Sequence, residues 1–186
     1  RIMTYDQGAA DAQLNQSRVG PYIPLSDPGW VGKVIAETAK TIAKNKIILA
    51  LATYGYEYRV VPLAQGYRYD LQWAFNPRYA TLLATQLKVT PLRNSAGELS
   101  FIYKTTTNQG ASDPVESAQN SPFAPAVTLY SQAAIVSQIT PPFNVVWWSD
   151  AQAIGDKIKL AQDAGLRGVS VFKFDGGEDQ ALCAPA

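Results

Sequence analysis

The chain has 186 residues, of which 47 % are apolar, enough to bury the core of one full domain or two small ones. The formal net charge is +1 and the Lys and Arg residues are scattered, which excludes the basic footprint of a nucleic-acid-binding protein or a polybasic membrane patch. No apolar run approaches the roughly 18 residues that span a bilayer, so no membrane span is predicted.

Histidine is absent from the sequence, which removes Ser-His-Asp and Cys-His catalysis and every His-based zinc site. Catalysis would have to rest on carboxylates or tyrosines. The single cysteine, Cys183, has no companion for an intrachain disulfide or a metal site, so we predict neither a metal nor a cofactor. Ten Tyr, four Trp and six Phe in a nearly neutral chain favour an uncharged ligand such as a sugar over a phosphate.

The first predicted element is a short buried strand over Ile2–Gln7. Side chains alternate along a strand, so Met3 and Tyr5 share a face. In a parallel sheet or barrel the carboxyl ends of the strands face the ligand, which would place Tyr5 and Asp6 at the mouth of a site. The alternative is an ordinary strand end with a hydrogen-bonded turn. Because the chain opens directly inside this strand, we expect it to be a piece of something longer.

A loop-like composition follows over residues 8–28, and Asp27 and Pro28 then mark a helix start. An apolar stripe from Val31 to Ile42 predicts an amphipathic helix that ends at Asn45. The continuous apolar run Lys46–Tyr54 indicates a strand buried on both faces. Strand, helix and strand in this order predict a right-handed parallel crossover.

From Gly55 the pattern changes to strands with one exposed face, typical of an antiparallel sheet, and residues 56–148 are predicted to form an α+β unit. Four strands are predicted in it, over Glu57–Val61, Tyr67–Trp73, Val127–Tyr130 and Asn144–Trp148. A helix is predicted from Asn76-Pro77 to Leu87, with Tyr79, Leu82, Leu83 and Leu87 as its buried stripe. A hairpin turn is predicted over Arg93–Glu98 and a mobile loop over Thr105–Pro125.

The parallel pattern resumes at Asp150, which is predicted to cap a helix that Gly165 ends. Its inward residues are predicted to be Ile154, Ile158, Leu160 and Ala161. Leu166–Asp175 is predicted as a third strand that Gly176-Gly177 breaks. The chain therefore divides into 1–55 (two strands and a helix), 56–148 (the α+β unit) and 149–186 (a helix, a strand and a tail).

With Met3-Thr4-Tyr5-Asp6 on the first strand, Lys46 to Gly55 on the second and Leu166 to Phe172 on the third, the sequence resembles glycoside hydrolase family 18. The likeness is greatest to the bacterial branch associated with chitin-type or peptidoglycan glycan strands. The resemblance implies an α/β fold, namely the C-terminal part (strands six to eight) of a TIM (β/α)8 barrel with an inserted α+β domain.

The resemblance also implies a substrate and a site. The substrate would be an N-acetylglucosamine-containing polysaccharide, and its own acetamido oxygen would attack the anomeric carbon in a retaining hydrolysis. As auxiliary catalytic residues, Tyr5 would donate to the acetamido carbonyl and Asp6 would bond sugar hydroxyls. The substrate-binding residues would be Met3, Gln7, Tyr54, Tyr56 and Phe172, of which Tyr54 and Tyr56 stand at the exit of the second strand. An extracellular or cell-surface bacterial location is expected.

Two departures from the family pattern affect the expected activity. The family's general acid is the Glu of a D-x-x-D-x-D-x-E motif, which does not occur in this sequence, so we expect the chain to be inactive alone. Phe172 stands where the family commonly has a Trp beneath the sugar, and a Phe lacks the indole's area and N–H donor.

Three interpretations remain open at this point: the carboxyl-terminal part of a family 18 glycosidase, a non-catalytic glycan-binding or scaffold module of the cell envelope, and an unrelated α/β domain. Three barrel strands alone would leave two unpaired edges. We expect these edges to be covered by missing residues or by self-association, or the α+β unit to be the main body of the fold.

Other aromatic and acidic residues have two interpretations each. Trp147 and Trp148 are expected to pack between the α+β unit and the barrel strands rather than to form sugar platforms. Five carboxylates are candidates to reach the cleft, although solvated loop carboxylates are the commoner case. They are Glu57, Asp70, Asp175, Glu178 and Asp179.

Overall fold

The protein is described from a computed structural model, which covers residues 1–10, 20–64, 66–104 and 142–183. The strands are β1 (Ile2–Met3), β2 (Ile48–Ala52), β3 (Gly55–Pro62), β4 (Tyr67–Phe75), β5 (Leu92–Arg93), β6 (Leu99–Tyr103), β7 (Phe143–Trp148) and β8 (Gly168–Phe172). The helices are α1 (Gln7–Ala10), α2 (Pro28–Thr38), α3 (Pro77–Leu87) and α4 (Ala151–Asp163), with short 3-10 turns at Lys44–Lys46 and Gln180–Cys183.

The three apolar segments predicted to lie side by side form one parallel sheet in the order β1-β2-β8. The register pairs Ile2 with Leu49 and Leu49 with Val169, and these residues face the helices. The prediction of parallel neighbours is therefore confirmed. Within the described ranges, β1 and β8 each pair on one side only, so both edges of this sheet are open.

Helices α2 and α4 cover one face of the parallel sheet, where they bury Val31, Ile35 and Ile154 against β2. Local chemistry starts both helices as predicted. The Asp27 carboxylate accepts from the Trp30 N–H at 3.0 Å, and Asp150 caps α4 in the same way.

The predicted end of α2 at Asn45 is wrong, because the helix ends at Thr38 and Ile42 is exposed. The apolar stripe continues in the sequence beyond the last helical turn that packs against the sheet.

The α+β part of the chain is an antiparallel five-stranded sheet in the order β4-β3-β7-β6-β5, with α3 packed on one face. Asn76 caps α3, which ends at Leu87 as predicted. Leu82 is exposed, which contradicts its predicted place in the stripe; Ala80 and Ala84 are buried instead. The predicted loop over Thr105–Pro125 and the predicted strand over Val127–Tyr130 lie outside the described residues.

A buried ion pair connects the five-stranded sheet to the helices of the parallel sheet. Glu98, the last residue of the predicted hairpin turn, is fully buried, and its Oε1 accepts from the Lys157 Nζ of α4 at 2.9 Å. Ser149 donates to the same oxygen, and the Trp147 Nε1 and the Leu25 N–H donate to Oε2. Every carboxylate oxygen thus has partners, as a buried charge requires.

A second ion pair lies beside it at the start of α4. Two guanidinium nitrogens of Arg93 donate to the two oxygens of Asp150, at 3.0 and 2.6 Å. Burial raises the pKa of Asp150, but the Arg93 hydrogen bonds and the Ala153 N–H outweigh it and hold that pKa below its usual value. The N-cap of α4 therefore stays ionised, which suits the positive end of the helix dipole.

None of the helices in the described ranges combines the length and apolarity needed to cross a membrane.

Replacing Glu98 with Ala is expected to lower the free energy of unfolding by about 3 to 5 kcal/mol, because Lys157 would be left buried and unpaired. The matched control is Asp163→Ala, which breaks the exposed Lys159–Asp163 pair of the same helix and is expected to cost less than about 1 kcal/mol. Chemical denaturation measures both. Equal costs for the two variants would contradict the structural role of Glu98.

Substitution by alanine at two glycines is expected to change the stability of the protein in opposite directions. A Cβ at Gly55 would lie 2.4 Å from the Trp147 carbonyl oxygen, so Gly55→Ala is expected to cost about 1 to 3 kcal/mol of stability. A Cβ at Gly155, inside α4, meets nothing within 4 Å, so Gly155→Ala is expected to add about 0.5 to 1 kcal/mol. Thermal unfolding of both variants tests the pair; a stabilised Gly55→Ala would show that β3 and β7 approach less closely.

Candidate functional site

A cluster of aromatic and acidic side chains forms where the three parallel strands end. Tyr5 and Asp6 follow β1, Tyr54 follows β2, and Phe172 is the last residue of β8. Since carboxyl ends of parallel strands meet at one edge of a sheet, these residues converge although they come from distant parts of the sequence. Tyr56, from β3, joins them.

The Asp6 carboxylate is the polar centre of the cluster. Its Oδ1 accepts hydrogen bonds from the Tyr54 hydroxyl and, at 2.8 Å, from the Tyr56 hydroxyl. The backbone of Asp6 is left-handed, with φ +62°, a conformation that Asp tolerates better than most residues. Helix α1 begins at the next residue, Gln7.

Aromatic rings surround this carboxylate. Tyr5 stacks on Phe172 with ring centroids 6.0 Å apart and planes 13° from parallel. Tyr54 meets Tyr5 and Phe172 edge-on at 6.1 and 6.2 Å, the second geometry that aromatic pairs favour. Phe172 is 52 % exposed, so part of its surface remains open to a ligand.

Met3 and Gln7, the other two predicted ligand-binding residues, have contacts outside the ring cluster. Met3 pairs with Ala50, one layer below the Ala52–Phe172 pair, and is 64 % exposed rather than buried in its strand as predicted. Gln7 is buried, and its Oε1 accepts from the Asp27 N–H at 2.7 Å. Gln7 thus connects the first strand to the start of α2, and the structure gives it a structural contact.

The phenols of Tyr54 and Tyr56 are held in their protonated form. Burial, and then the hydrogen bond to Asp6, raise the pKa of Tyr56 to about 12, and the same two causes raise the pKa of Tyr54 further. Both hydroxyls therefore act as neutral donors near pH 7. The cluster can stack against an apolar face and exchange hydrogen bonds with hydroxyl or amide groups, which suits an uncharged polar ligand.

Glu57, a predicted candidate to reach the cleft, does not do so. It is fully buried on the opposite face of β3 from Tyr56, where the hydroxyls of Tyr79 (2.7 Å) and Tyr103 and the Asn144 amide (2.7 Å) donate to it. Strand alternation after Tyr56 was the signal in the sequence that assigns Glu57 to the face covered by α3. Burial raises the pKa of Glu57, although these hydrogen bonds oppose the rise.

The remaining predicted carboxylates have local partners. Asp70 bonds Arg68 and Asp175 bonds Lys173, both at 3.0 Å. Glu178 accepts from backbone N–H groups of its own loop, and Asp179 accepts from the Ala151 N–H at 2.9 Å. These contacts lie on β4, in the loop after β8 and at the start of α4.

Trp147 and Trp148 are both buried, as their predicted packing role requires. Trp147 meets Tyr22 edge-on at 5.8 Å, and Trp148 meets Phe101 at 6.0 Å. Among the residues that the structure describes, there is no group of three or more acidic or Cys side chains arranged to hold a metal ion.

Comparison with known proteins gives similarities of structure alone. No family model and no curated protein matches this sequence. The spore cortex-lytic enzyme SleL of Bacillus cereus is similar in structure over 97 % of this chain and 32 % of its own, with TM-score 0.61 and 22 % identity. A chitinase of Chromobacterium violaceum (TM-score 0.58, 16 % identity) and a chitinase-like agglutinin of Robinia pseudoacacia (0.54, 16 %) are similar over 97 and 98 % of this chain and 42 and 44 % of theirs.

These likenesses show that the chain has an α/β fold of the chitinase-like kind. The chain spans about a third of the length of SleL and less than half that of the chitinase.

Because its pKa is raised in the folded state, Glu57 contributes stability below its unfolded pKa of about 4.3 that is lost as the pH rises through its folded pKa. Glu57→Gln is therefore expected to remove part of the fall in unfolding free energy above about pH 4. Denaturation at a series of pH values measures this, with Glu37→Gln on the surface of α2 as the control. Parallel pH profiles for wild type and Glu57→Gln would contradict it.

Proposed function

We propose that the chain is part of a protein similar to glycoside hydrolase family 18 and that it binds β-1,4-linked N-acetylglucosamine-containing glycan, as in chitin or peptidoglycan. The observation that carries this proposal is the convergence of Tyr5, Asp6, Tyr54, Tyr56 and Phe172 at the shared end of three parallel strands. An exposed ring face, the Tyr5 phenol as a donor and the Asp6 carboxylate as an acceptor suit a sugar, which has an apolar ring face and many hydroxyl groups.

The roles of two residues follow from the family's chemistry. Tyr5 would donate to the acetamido carbonyl of the sugar, and Asp6 would accept from a sugar hydroxyl. In the parent protein this would support a retaining hydrolysis in which the substrate's acetamido oxygen is the nucleophile. A donor held in a site that excludes water contributes about 2.7 to 4 kcal/mol to such a reaction.

The general acid is not proposed to come from this chain. The sequence has no D-x-x-D-x-D-x-E motif. Glu57 and Glu98, which are fully buried, bond to their own partners within the fold. We infer that this chain alone binds glycan without cleaving it.

The arrangement proposed for the whole protein is a TIM barrel in which β1, β2 and β8 are the sixth, seventh and eighth strands. Residues 1–55 and 149–186 would be barrel, and 56–148 would be the inserted domain. The pairing of Gly55 with Trp148, where β3 begins and β7 ends, supports a boundary at these two positions. The remaining barrel strands, or a second copy of the chain, would cover the open edges of β1 and β8.

A second candidate function is a non-catalytic glycan-binding or scaffold module of the cell envelope. Phe172 favours it, because a Phe at the platform position provides stacking without the indole's hydrogen-bond donor. The structural likeness to a chitinase-like agglutinin also favours it. Both candidates place the protein outside a bacterial cell or on its surface, where such glycans are found.

Calorimetric titration of the chain with N-acetylglucosamine oligomers tests the proposed binding. Asp6→Ala is expected to weaken binding at least about tenfold, because a hydrogen bond to a charged group is lost, and Tyr5→Phe with Asp6→Ala is expected to abolish it. Tyr67→Phe, in the β3–β4 hairpin away from the cluster, is the control and is expected to bind as wild type does. Wild-type chain that binds no oligomer would overturn the proposal.

A reducing-sugar assay on the same oligomers tests the inference that this chain alone does not cleave glycan. No release is expected from this chain. Measurable release would overturn the inference that the chain alone does not cleave glycan. The sequence of a longer parent protein would separate the two candidates, because a D-x-x-D-x-D-x-E segment in it supports the hydrolase and a substituted acid supports the binding protein.

A further inference from the structure

Two tyrosine hydroxyls donate to the same oxygen of the Asp6 carboxylate. Tyr54 and Tyr56 both bond Oδ1, and their rings meet edge-on at 5.5 Å with planes 79° apart. Within the described residues, no hydrogen bond to this side chain ends on Oδ2. The carboxylate is thus held through one oxygen, and the other is left to accept a further donor.

The two tyrosines approach Asp6 from different sheets. Tyr54 lies two residues after the end of β2 of the parallel sheet, and Tyr56 belongs to β3 of the antiparallel sheet, where it pairs with Trp147. Gly55 between them has no side chain, and a Cβ there would meet the Trp147 carbonyl oxygen. The backbone from Tyr54 to Tyr56 is therefore fixed against β7, so both hydroxyls keep their directions.

Apolar packing also holds the rings of Tyr54 and Tyr56 in place. Tyr54 is buried against Leu25 and Ala52, and Tyr5 and Tyr56 pack on the same apolar group. Phenol side chains have only two rotatable bonds, so little conformational freedom is lost when they are packed in this way. A donor pair held by packing orients its acceptor more firmly than one in solvent.

We propose that Tyr54 and Tyr56 are positioning residues, which hold Oδ1 of Asp6 so that Oδ2 accepts a hydroxyl group of the bound sugar. This inference rests on the proposed function of the site. It changes the expected role of the two tyrosines, since they act on the ligand through Asp6 rather than by contact. The sugar that binds must then present a hydroxyl donor to Oδ2, while the Tyr5–Phe172 stack contacts its ring.

A double-mutant cycle on glycan affinity tests the positioning role. Tyr56→Phe keeps the ring and removes the hydroxyl, and it is expected to weaken binding of the N-acetylglucosamine tetramer about fivefold. In an Asp6→Ala background the same change is expected to have no further effect, because a residue that acts through Asp6 has nothing left to position. If the losses of affinity in the two single variants multiply in the double variant, Tyr56 contacts the ligand itself and the proposal is overturned.

A measurement without ligand separates this inference from the proposed function. A tyrosine hydroxyl proton that bonds a carboxylate gives a protected, downfield proton NMR signal. Such a signal is expected for Tyr56 in the full chain and is expected to disappear in Asp6→Ala, whereas Tyr67→Phe leaves it in place. If the wild-type signal is absent, the positioning pair is overturned whatever the chain binds.

The remaining outcome is a Tyr56 signal that depends on Asp6 in a wild-type chain that binds no oligomer. That result overturns the proposed function and the role of Oδ2 in reading a sugar, and it leaves the contact between the tyrosines and Asp6 as a structural one. The inference as a whole is supported if the chain binds the oligomer, if Tyr56→Phe has no further effect in the Asp6→Ala background, and if the Tyr56 signal depends on Asp6.

Discussion

The buried carboxylate of Glu98 is the interaction on which the relative placement of the two sheets depends. It comes from the hairpin of the antiparallel sheet and bonds Lys157 of the helix that covers the parallel sheet. Trp147, Ser149 and the backbone of Leu25 complete its hydrogen bonds. A charge removed from water is tolerated only when it is paired and fully hydrogen-bonded, so the five groups must keep one arrangement. The interaction fixes geometry more than it adds stability.

That geometry is what allows a site to form at the end of the parallel strands. Tyr54 belongs to the exit of β2 and Tyr56 to the adjacent antiparallel strand, yet both donate to one oxygen of Asp6. A shift of the sheets by an ångström or two would break one of these bonds. The cluster combines stacked rings with hydrogen-bonded phenols and a single carboxylate, a combination that would suit an uncharged ligand with hydroxyl groups.

Local signals in the sequence were sufficient for most elements of the fold. Asp27, Asn76 and Asp150 each precede an apolar stripe and each caps the helix predicted there, because an N-cap depends on neighbours within three residues. The apolar runs around β2 and β8 predicted parallel strands correctly. The end of α2 was wrong because Ile42 continues the stripe in the sequence, while the surface on which that stripe packs ends earlier.

The sequence alone also placed Tyr5, Asp6 and Tyr54 at strand ends, and parallel strands bring such ends together. Phe172 was predicted inside a strand that runs to Asp175, whereas it ends its strand in the structure. The sequence did not reveal what lies around each acidic or amide group. Glu98 was predicted to lie in a hairpin turn, and Gln7 was predicted to bind the ligand beside Asp6. The sequence does not show whether water or protein groups surround a given carboxylate. The groups that surround Glu98 and Gln7 lie about twenty to seventy residues away, so only the packed chain decides their roles.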